Sequence, residues 1–349
     1  MKKIFLVLIA SLVVLSVIAF NLVKSNVSVP SPVSVTYEWG ALQEVIVGSG
    51  KDLVIPYYRE GMVVPEGPNA NALVAAMKKY GGQRFDKIDP ETAGKVIEQA
   101  DNLAKTLESL GIVVHRVRSL KPAEGEYLGD DGAALFSRDP ILVIGNNLIE
   151  TSLRALFRRK EKYAIRPIVE KYITDPEVRY VSMPMASPQM DDRGPYLEGG
   201  DVLLNGYEIY VGNSDVATNR AGIVWLQNYL GSKYKVQEIK LTPSFLHLDC
   251  AMALLRPGLG IICREAIIGE LPESLKDWKF IEVNAEEADN LATNVLVVDE
   301  KTVIADPQHQ RVIEAIRANG IKVIEVPYDE VSKFGGAFRC SHHPLRRVN

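Results

Sequence analysis

Four short segments carry the residues that could do chemistry, and they recur in order along the chain. They are SRDP with Asp139, EGGD with Glu198 and Asp201, HLDC with His247, Asp249 and Cys250, and FGGAFRC with Cys340. The first three each stand just before two apolar runs joined by a tight turn. An acid or a nucleophile therefore returns at the same phase of successive units. If those units surround a common axis, the positions converge on one cavity. A thiol acts as a nucleophile in its thiolate form, which a neighbouring histidine or cation favours. Cys340 has Arg339 beside it, and Gly335 and Gly336 just upstream permit close backbone approach. His247 is suited to shuttle protons and Glu198 to orient it. Asp139 and Asp249 remain as carboxylates, which match a guanidinium in a fixed fork geometry. A cysteine aimed at a guanidinium carbon, with acids gripping the nitrogens, is amidino chemistry.

Plainer readings hold for the other reactive residues. Cys250 and Cys263 lie in apolar runs and read as core. A zinc site built from Cys340, His342 and His343 matches no ordinary ligand spacing, so no metal is expected. The basic run RALFRRKEKYAIR at 154–166 reads as a solvated helix face. His115 and His309 read as structural.

The elements that must position these residues form a weak repeat. Paired strand-like runs occupy 141–150, 202–212, 253–263 and 295–305, with GNN, NGYE, RPGLG and DEKT as their turns. Each pair predicts a following amphipathic helix, clearest at 220–230 and at 308–319, the latter stopped by Gly320. Returning strands follow at 234–241, 278–284 and 321–327. The N-terminal part fits the same unit, with strands at 44–50 and 112–117 around a helix at 93–110 closed by Gly111. Five strand–strand–helix–strand units result. One unit cannot bury its own apolar face, so the five must share a core. No Pro/Gly/Ser-rich break follows residue 36, so residues 37–349 read as one domain.

Ahead of it, Lys2 and Lys3 precede an apolar run from Ile4 to Phe20. Residues 1–24 read as a membrane anchor or a cleaved signal, with the lysines staying inside and the catalytic body outside the cytoplasm. Residues 25–36, SNVSVPSPVSVT, read as an extended linker. Across the 349 residues, 47% are apolar and 24% charged, the ordinary globular mix that excludes a disordered or collagen-like chain. A net charge of −4 argues against a nucleic-acid binder that works by bulk phosphate attraction. Three cysteines cannot make a disulfide framework.

The ordered series RD, EGGD, HLDC and GG–RC resembles the guanidino-group-modifying superfamily, the five-bladed α/β propellers called penteins. The resemblance runs from about Trp39 to Arg347. EWGALQEVIVG, SRDPILVIGNNLIE and LATNVLVVDEKTVIAD are similar to segments of the glycine and inosamine amidinotransferases. It implies Cys340 as nucleophile, His247 as general acid and base, Glu198 as its acidic partner, and Asp139 and Asp249 as the guanidinium-binding acids. The implied activity moves the amidino group of arginine to an amine acceptor such as glycine through an amidino-cysteine, with no cofactor. Where amidinotransferases typically read DAAD, this chain reads EGGD, a form commoner in the arginine deiminase-like hydrolases. The tail, RC followed by PLRR, leans the same way. That branch usually carries a helical insertion for which this length leaves no room. Hydrolysis of arginine, methylarginine or agmatine to a ureido product is therefore the alternative. A third class is a non-catalytic binding module on the same scaffold. Cys340, His247 and Glu198 occurring together count against it.

Overall fold

The computed structural model describes residues 31–66, 68–126, 134–189 and 191–349. The apolar run at 4–20 and linker positions 25–30 lie outside the described residues. Among the described residues no helix is long and apolar enough to cross a membrane.

Strand β1 is Ala41–Val47, helix α1 Pro90–Ser109 and strand β2 Val113–Arg116. The second unit holds β3 Ile141–Ile144, β4 Asn147–Glu150, α2 Glu161–Ile173 and β5 Arg179–Ser182. The third holds β6 Val202–Asn205, β7 Glu208–Asn213, α3 Arg220–Leu230 and β8 Lys235–Leu241. The fourth holds β9 Met252–Arg256, β10 Leu259–Ile262, the two-residue β11 Ile267–Ile268 and β12 Lys279–Glu282. The fifth holds β13 Leu296–Asp299, β14 Thr302–Ala305, α4 Gln310–Ala318 and β15 Lys322–Glu325. Strand β16, His342–Val348, ends the chain.

These strands form five small sheets, β16-β1-β2, β3-β4-β5, β11-β8-β7-β6, β9-β10-β12 and β13-β14-β15. Each contains an antiparallel pair and a parallel strand beside it. The α/β class and the five-unit reading are what the structure has. The turns work by the expected chemistry. Gly145, Gly206 and Gly258 take positive φ in three hairpins. In the fourth, without a glycine, Asp299 Oδ1 accepts the backbone N–H of Lys301 at 2.8 Å. Asp89 caps α1 and Asn219 caps α3, each through a side-chain oxygen.

Alternate strand residues face two apolar clusters. On β1, Val45 and Val47 enter one and Ile46 the other; on β7, Tyr210 enters the first and Ile209 and Val211 the second. The sheets are therefore covered on both sides, which explains their continuous apolar runs.

Three expectations are corrected here. The linker does not extend to residue 36: Val33 and Val35 are buried in the second cluster, Ser34 N–H donates to Leu345 O, and Arg347 N–H donates to Ser34 O. Alternating valines look extended and solvated in sequence, but here Ser34 between them bridges Arg346 of β16 and Val35 bridges Gly145. The folded body thus begins at or before residue 33, not at 37. The fourth unit has no α-helix between β10 and β12. Gly269 with φ +86° and Pro272 break the segment into 3₁₀ turns, and β11 joins the edge of the preceding sheet instead. The first unit draws its antiparallel strand from the opposite end of the chain, because β1 pairs with β16.

Candidate active site

Each sheet delivers one polar segment immediately before a strand of its antiparallel pair. Asp139 stands two residues ahead of β3, Asp201 one ahead of β6, Asp249 three ahead of β9, Asn294 two ahead of β13 and Cys340 two ahead of β16. A strand is a rigid mount, so a short lead-in to it fixes a side chain better than a free loop does. Cys340, His247, Glu198, Asp139 and Asp249 are all at most 4% exposed.

His247 and Glu198 meet directly, Nε2 to Oε2, at 2.9 Å. The other Glu198 oxygen accepts the backbone N–H of Arg154 at 3.0 Å. His247 Nδ1 lies 3.8 Å from Asp139 Oδ1, which also accepts the Gly200 N–H at 2.7 Å. Gly200 is required for this closeness. A Cβ there would lie 2.6 Å from His247 Nδ1 and 3.0 Å from Asp139 Oδ1. Burial disfavours a charged His247, but the negative fields of Asp139 and Asp201 and the bond to Glu198 outweigh it and hold its pKa well above the ordinary value. That balance favours the protonated imidazole. Behind it, Asp201 Oδ1 accepts the Leu248 N–H at 2.9 Å, and burial pushes its carboxyl up to about 7.

On the facing side, the Cys340 thiol lies 3.6 Å from Asp249 Oδ2. Asn294 holds the thiol's loop: its Oδ1 accepts backbone N–H groups of Ala337, Arg339 and Cys340, and its Nδ2 donates to Cys340 Sγ at 3.2 Å. Gly336 allows that loop to close, since a Cβ would stand 2.9 Å from the Cys340 Cβ and 2.7 Å from the Phe136 ring. Among the described residues no hydrogen bond joins His247 to Cys340.

Cys250 lies in the first apolar cluster, as expected, and also borders the site. It ends a 3₁₀ turn before β9, and its sulfur sits 3.6 Å from Asp249 Oδ1. Its interaction with Cys340 and its burial raise its pKa well above the ordinary value. Cys263 is fully buried among apolar neighbours, as expected.

Among the described residues Arg339 makes no hydrogen bond to the thiol beside it. Its guanidinium binds Glu38 at 3.0 and 3.2 Å and, at 3.1 Å, Asp249 Oδ2, the oxygen that also meets the Cys340 thiol. The basic run at 154–166 is not a solvated face either. Arg154, Arg158, Lys160 and Glu161 are buried. Arg158 donates to Asp139 Oδ2 at 2.8 Å and to both oxygens of Glu161, and stands 3.6 Å from Glu198 Oε2. The physical reason is charge: buried Asp139, Glu161 and Glu198 need cations within the fold, and this run supplies them.

His342 and His343 are tied to the backbone beside Cys340. Each gives Nδ1 to a backbone carbonyl, of Phe338 and of Arg138, and burial lowers the pKa of both well below the ordinary value. The donor cluster that does form among the described residues is Asp139, Glu198 and His247. It already faces the Arg158 cation. His115 has a partner that sequence could not show, Glu44, at 2.7 Å.

Asn294, Arg158 and Asp201 are the polar residues of the site to which the sequence reading assigned no role. For Asn294 a signal existed: LATN precedes the fifth hairpin as HLDC precedes the fourth.

Residues 69–347 match the family described as N,N dimethylarginine dimethylhydrolase, eukaryotic. The mitochondrial glycine amidinotransferase of Danio rerio is 24% identical, covering 90% of this chain and 83% of the relative. The L-arginine:L-lysine amidinotransferase of Pseudomonas savastanoi pv. phaseolicola is 26% identical, covering 91% and 95%. Among solved structures, an amidinotransferase of the saxitoxin pathway from Microseira wollei superposes with a TM-score of 0.78 at 25% identity, over 91% of this chain and 98% of that one. A DDAH from Pseudomonas aeruginosa shares the fold with a TM-score of 0.62 at 19% identity, over 87% and 99%. On this breadth of match, the chain belongs to the N,N-dimethylarginine dimethylhydrolase family and is an enzyme of the guanidino-group-modifying pentein fold.

Proposed function

We propose that the protein is a cysteine-dependent amidinotransferase that takes the amidino group from arginine and passes it to an amine such as glycine. The observation that supports this most is the convergence of a thiol, an imidazolium and two carboxylates in one buried site. It occurs in a chain whose relatives over nine-tenths of its length are named amidinotransferases.

Asp139 and Asp249 each keep one oxygen not bonded to an arginine, and these would receive the substrate guanidinium. A cation held there favours the Cys340 thiolate. The sulfur attacks the guanidinium carbon and forms a C–S bond. The bond from that carbon to the chain nitrogen of arginine then breaks. His247, standing protonated, gives its proton to that nitrogen, and ornithine leaves. The amidino group stays on sulfur. An amine next attacks the same carbon and loses a proton to His247, and the thiolate departs with the C–S bond broken. Glu198 holds the imidazole in register through both halves.

The second reading is hydrolysis, favoured by the family match and by the EGGD turn. Water replaces the amine and a ureido product leaves. Purified protein incubated with arginine, with and without glycine or lysine, separates the two. Transfer gives ornithine and a new guanidino compound that depends on the amine. Citrulline formed at one rate with or without amine overturns the transferase reading.

A further inference from the structure

Four of the five sheets bring an acid or the thiol to the site, and the fifth brings an amide. Asn294 is 1% exposed and sits two residues ahead of its strand, as Asp139 and Cys340 do. Its carboxamide is fully used. Oδ1 accepts three backbone N–H groups, from Ala337 at 3.2 Å, Arg339 at 3.0 Å and Cys340 at 3.2 Å. Nδ2 donates to the Asp249 carbonyl and to Cys340 Sγ, both at 3.2 Å. Three converging N–H groups demand an oxygen, so the amide cannot be flipped, and its nitrogen must face the sulfur. Among the described residues no other nitrogen donates to that sulfur.

The backbone is shaped for this. Leu291, three residues earlier, has φ +66°, a left-handed conformation that a bulky side chain seldom adopts. Its carbonyl accepts the Asn294 N–H at 3.0 Å, and Thr293 between them bonds the carbonyls of Asp249 and Cys250. The turn is held from both sides, and its product is the placement of one amide.

We propose that Asn294 is a positioning residue for the nucleophile: it locks the 337–340 loop and holds Cys340 Sγ through its Nδ2–H, favouring the sulfur anion. This rests on the reading of Cys340 as nucleophile. The other titratable groups against that sulfur are Asp249, Cys250 and Tyr328. They offer carboxylate, thiol or phenol, so none supplies a cationic or amide donor.

The test needs no substrate, so its result stands apart from the question of transfer or hydrolysis. Iodoacetamide alkylation of Cys340 is followed by peptide mass spectrometry against pH, which resolves it from Cys250 and Cys263. Asn294→Asp keeps an oxygen for the three N–H groups but puts a carboxylate oxygen where the donor was. Its melting temperature should fall, since a buried carboxylate oxygen then faces the Asp249 carbonyl, while the loop keeps its three bonds. Cys340 alkylation at pH 7 should slow roughly ten- to hundredfold, as loss of a hydrogen bond to a charged group predicts, and the half-maximal pH should move up. Asn294→Ala should also lose thermal stability, as the loop loosens. A wild-type rate and pH profile in folded Asn294→Asp overturns the proposal. If that variant does not fold, wild-type protein labelled with ¹⁵N-asparagine decides. One side-chain amide pair should shift when Cys340 is alkylated, and an unchanged spectrum overturns it.

Discussion

The guanidinium of Arg158 donates to the carboxylate of Asp139 at 2.8 Å while both are buried. The site therefore carries its own guanidinium against one of the acids proposed to receive the substrate's. The same group makes two bonds to Glu161 and stands near Glu198, so it neutralises a cluster of three acids. Removing one partner of a buried ion pair leaves uncompensated charge, typically at about 3–5 kcal/mol. Arg158→Met should lower the thermal midpoint strongly and abolish turnover. A stable, active Arg158→Met protein would show that the acids are not held by this cation.

Gly200 lets His247 lie against the EGGD turn. In Gly200→Ala the new Cβ would meet His247 Nδ1 at 2.6 Å and Cγ at 2.8 Å, so the ring must move off Glu198. A displacement of about 1 Å in a reacting group can cost roughly a hundredfold in rate. The expected outcome is a fall in kcat of that order with a much smaller change in melting temperature. Unchanged kcat would mean that the imidazole does not serve the reaction.

The buried acid behind the histidine makes stability depend on pH. Burial pushes the Asp201 carboxyl up to about 7, while an unfolded aspartate titrates near about 3.9. Its folded pKa lies above the unfolded one, so its contribution is full below about 3.9 and is lost as pH rises through about 7. His247, held above its ordinary pKa by Asp139 and Asp201 against the cost of burial, loses its contribution in the same direction at higher pH. Glu44, drawn down to about 2 by its bond to His115, contributes fully above its unfolded pKa and loses that contribution only as pH falls toward 2, below this window. Melting temperature should therefore fall between pH 5 and 8.5, and Asp201→Asn should flatten that fall. Calorimetry showing the same slope in both proteins would remove Asp201 as its cause.

A chain beginning at Tyr37 should be less stable than one beginning at Ser31. The longer cut removes Val33 and Val35, buried side chains worth about 1.5–3 kcal/mol each, and two backbone bonds to β16. Equal melting temperatures for the two truncations would contradict the packing described.

The five-unit architecture is legible because each hairpin carries its own local turn chemistry, glycine in three and Asp299 in the fourth. The β1–β16 pairing is not, since nothing near Ala41 names a partner some 300 residues away. Asp139, Glu198, His247, Asp249 and Cys340 could be picked out because acid and thiol recur at one phase. Asn294 holds the same phase but is neither acid nor nucleophile, so its type hid it. The run at 154–166 misled because charge suggests solvent. Burial of Arg158 is decided by Asp139 and Glu198, which lie in other loops. Val33 and Val35 misled in the opposite sense, because a Pro- and Ser-rich setting suggests a tether.

The strand that completes the first sheet follows Cys340 after a single residue. Arg347 on that strand donates to Gly40 O at 2.7 Å and to Val297 O at 2.8 Å, tying the chain's last turn of sequence to its beginning and to the fifth unit. Synthesis runs from the amino end, so β1 is made some 300 residues before the strand it pairs with. Asn294 and Asp249, which the thiol touches, are likewise made before Cys340. The thiol proposed as nucleophile is thus added after the groups that hold it, and a chain frayed at β16 carries those groups with the thiol unseated.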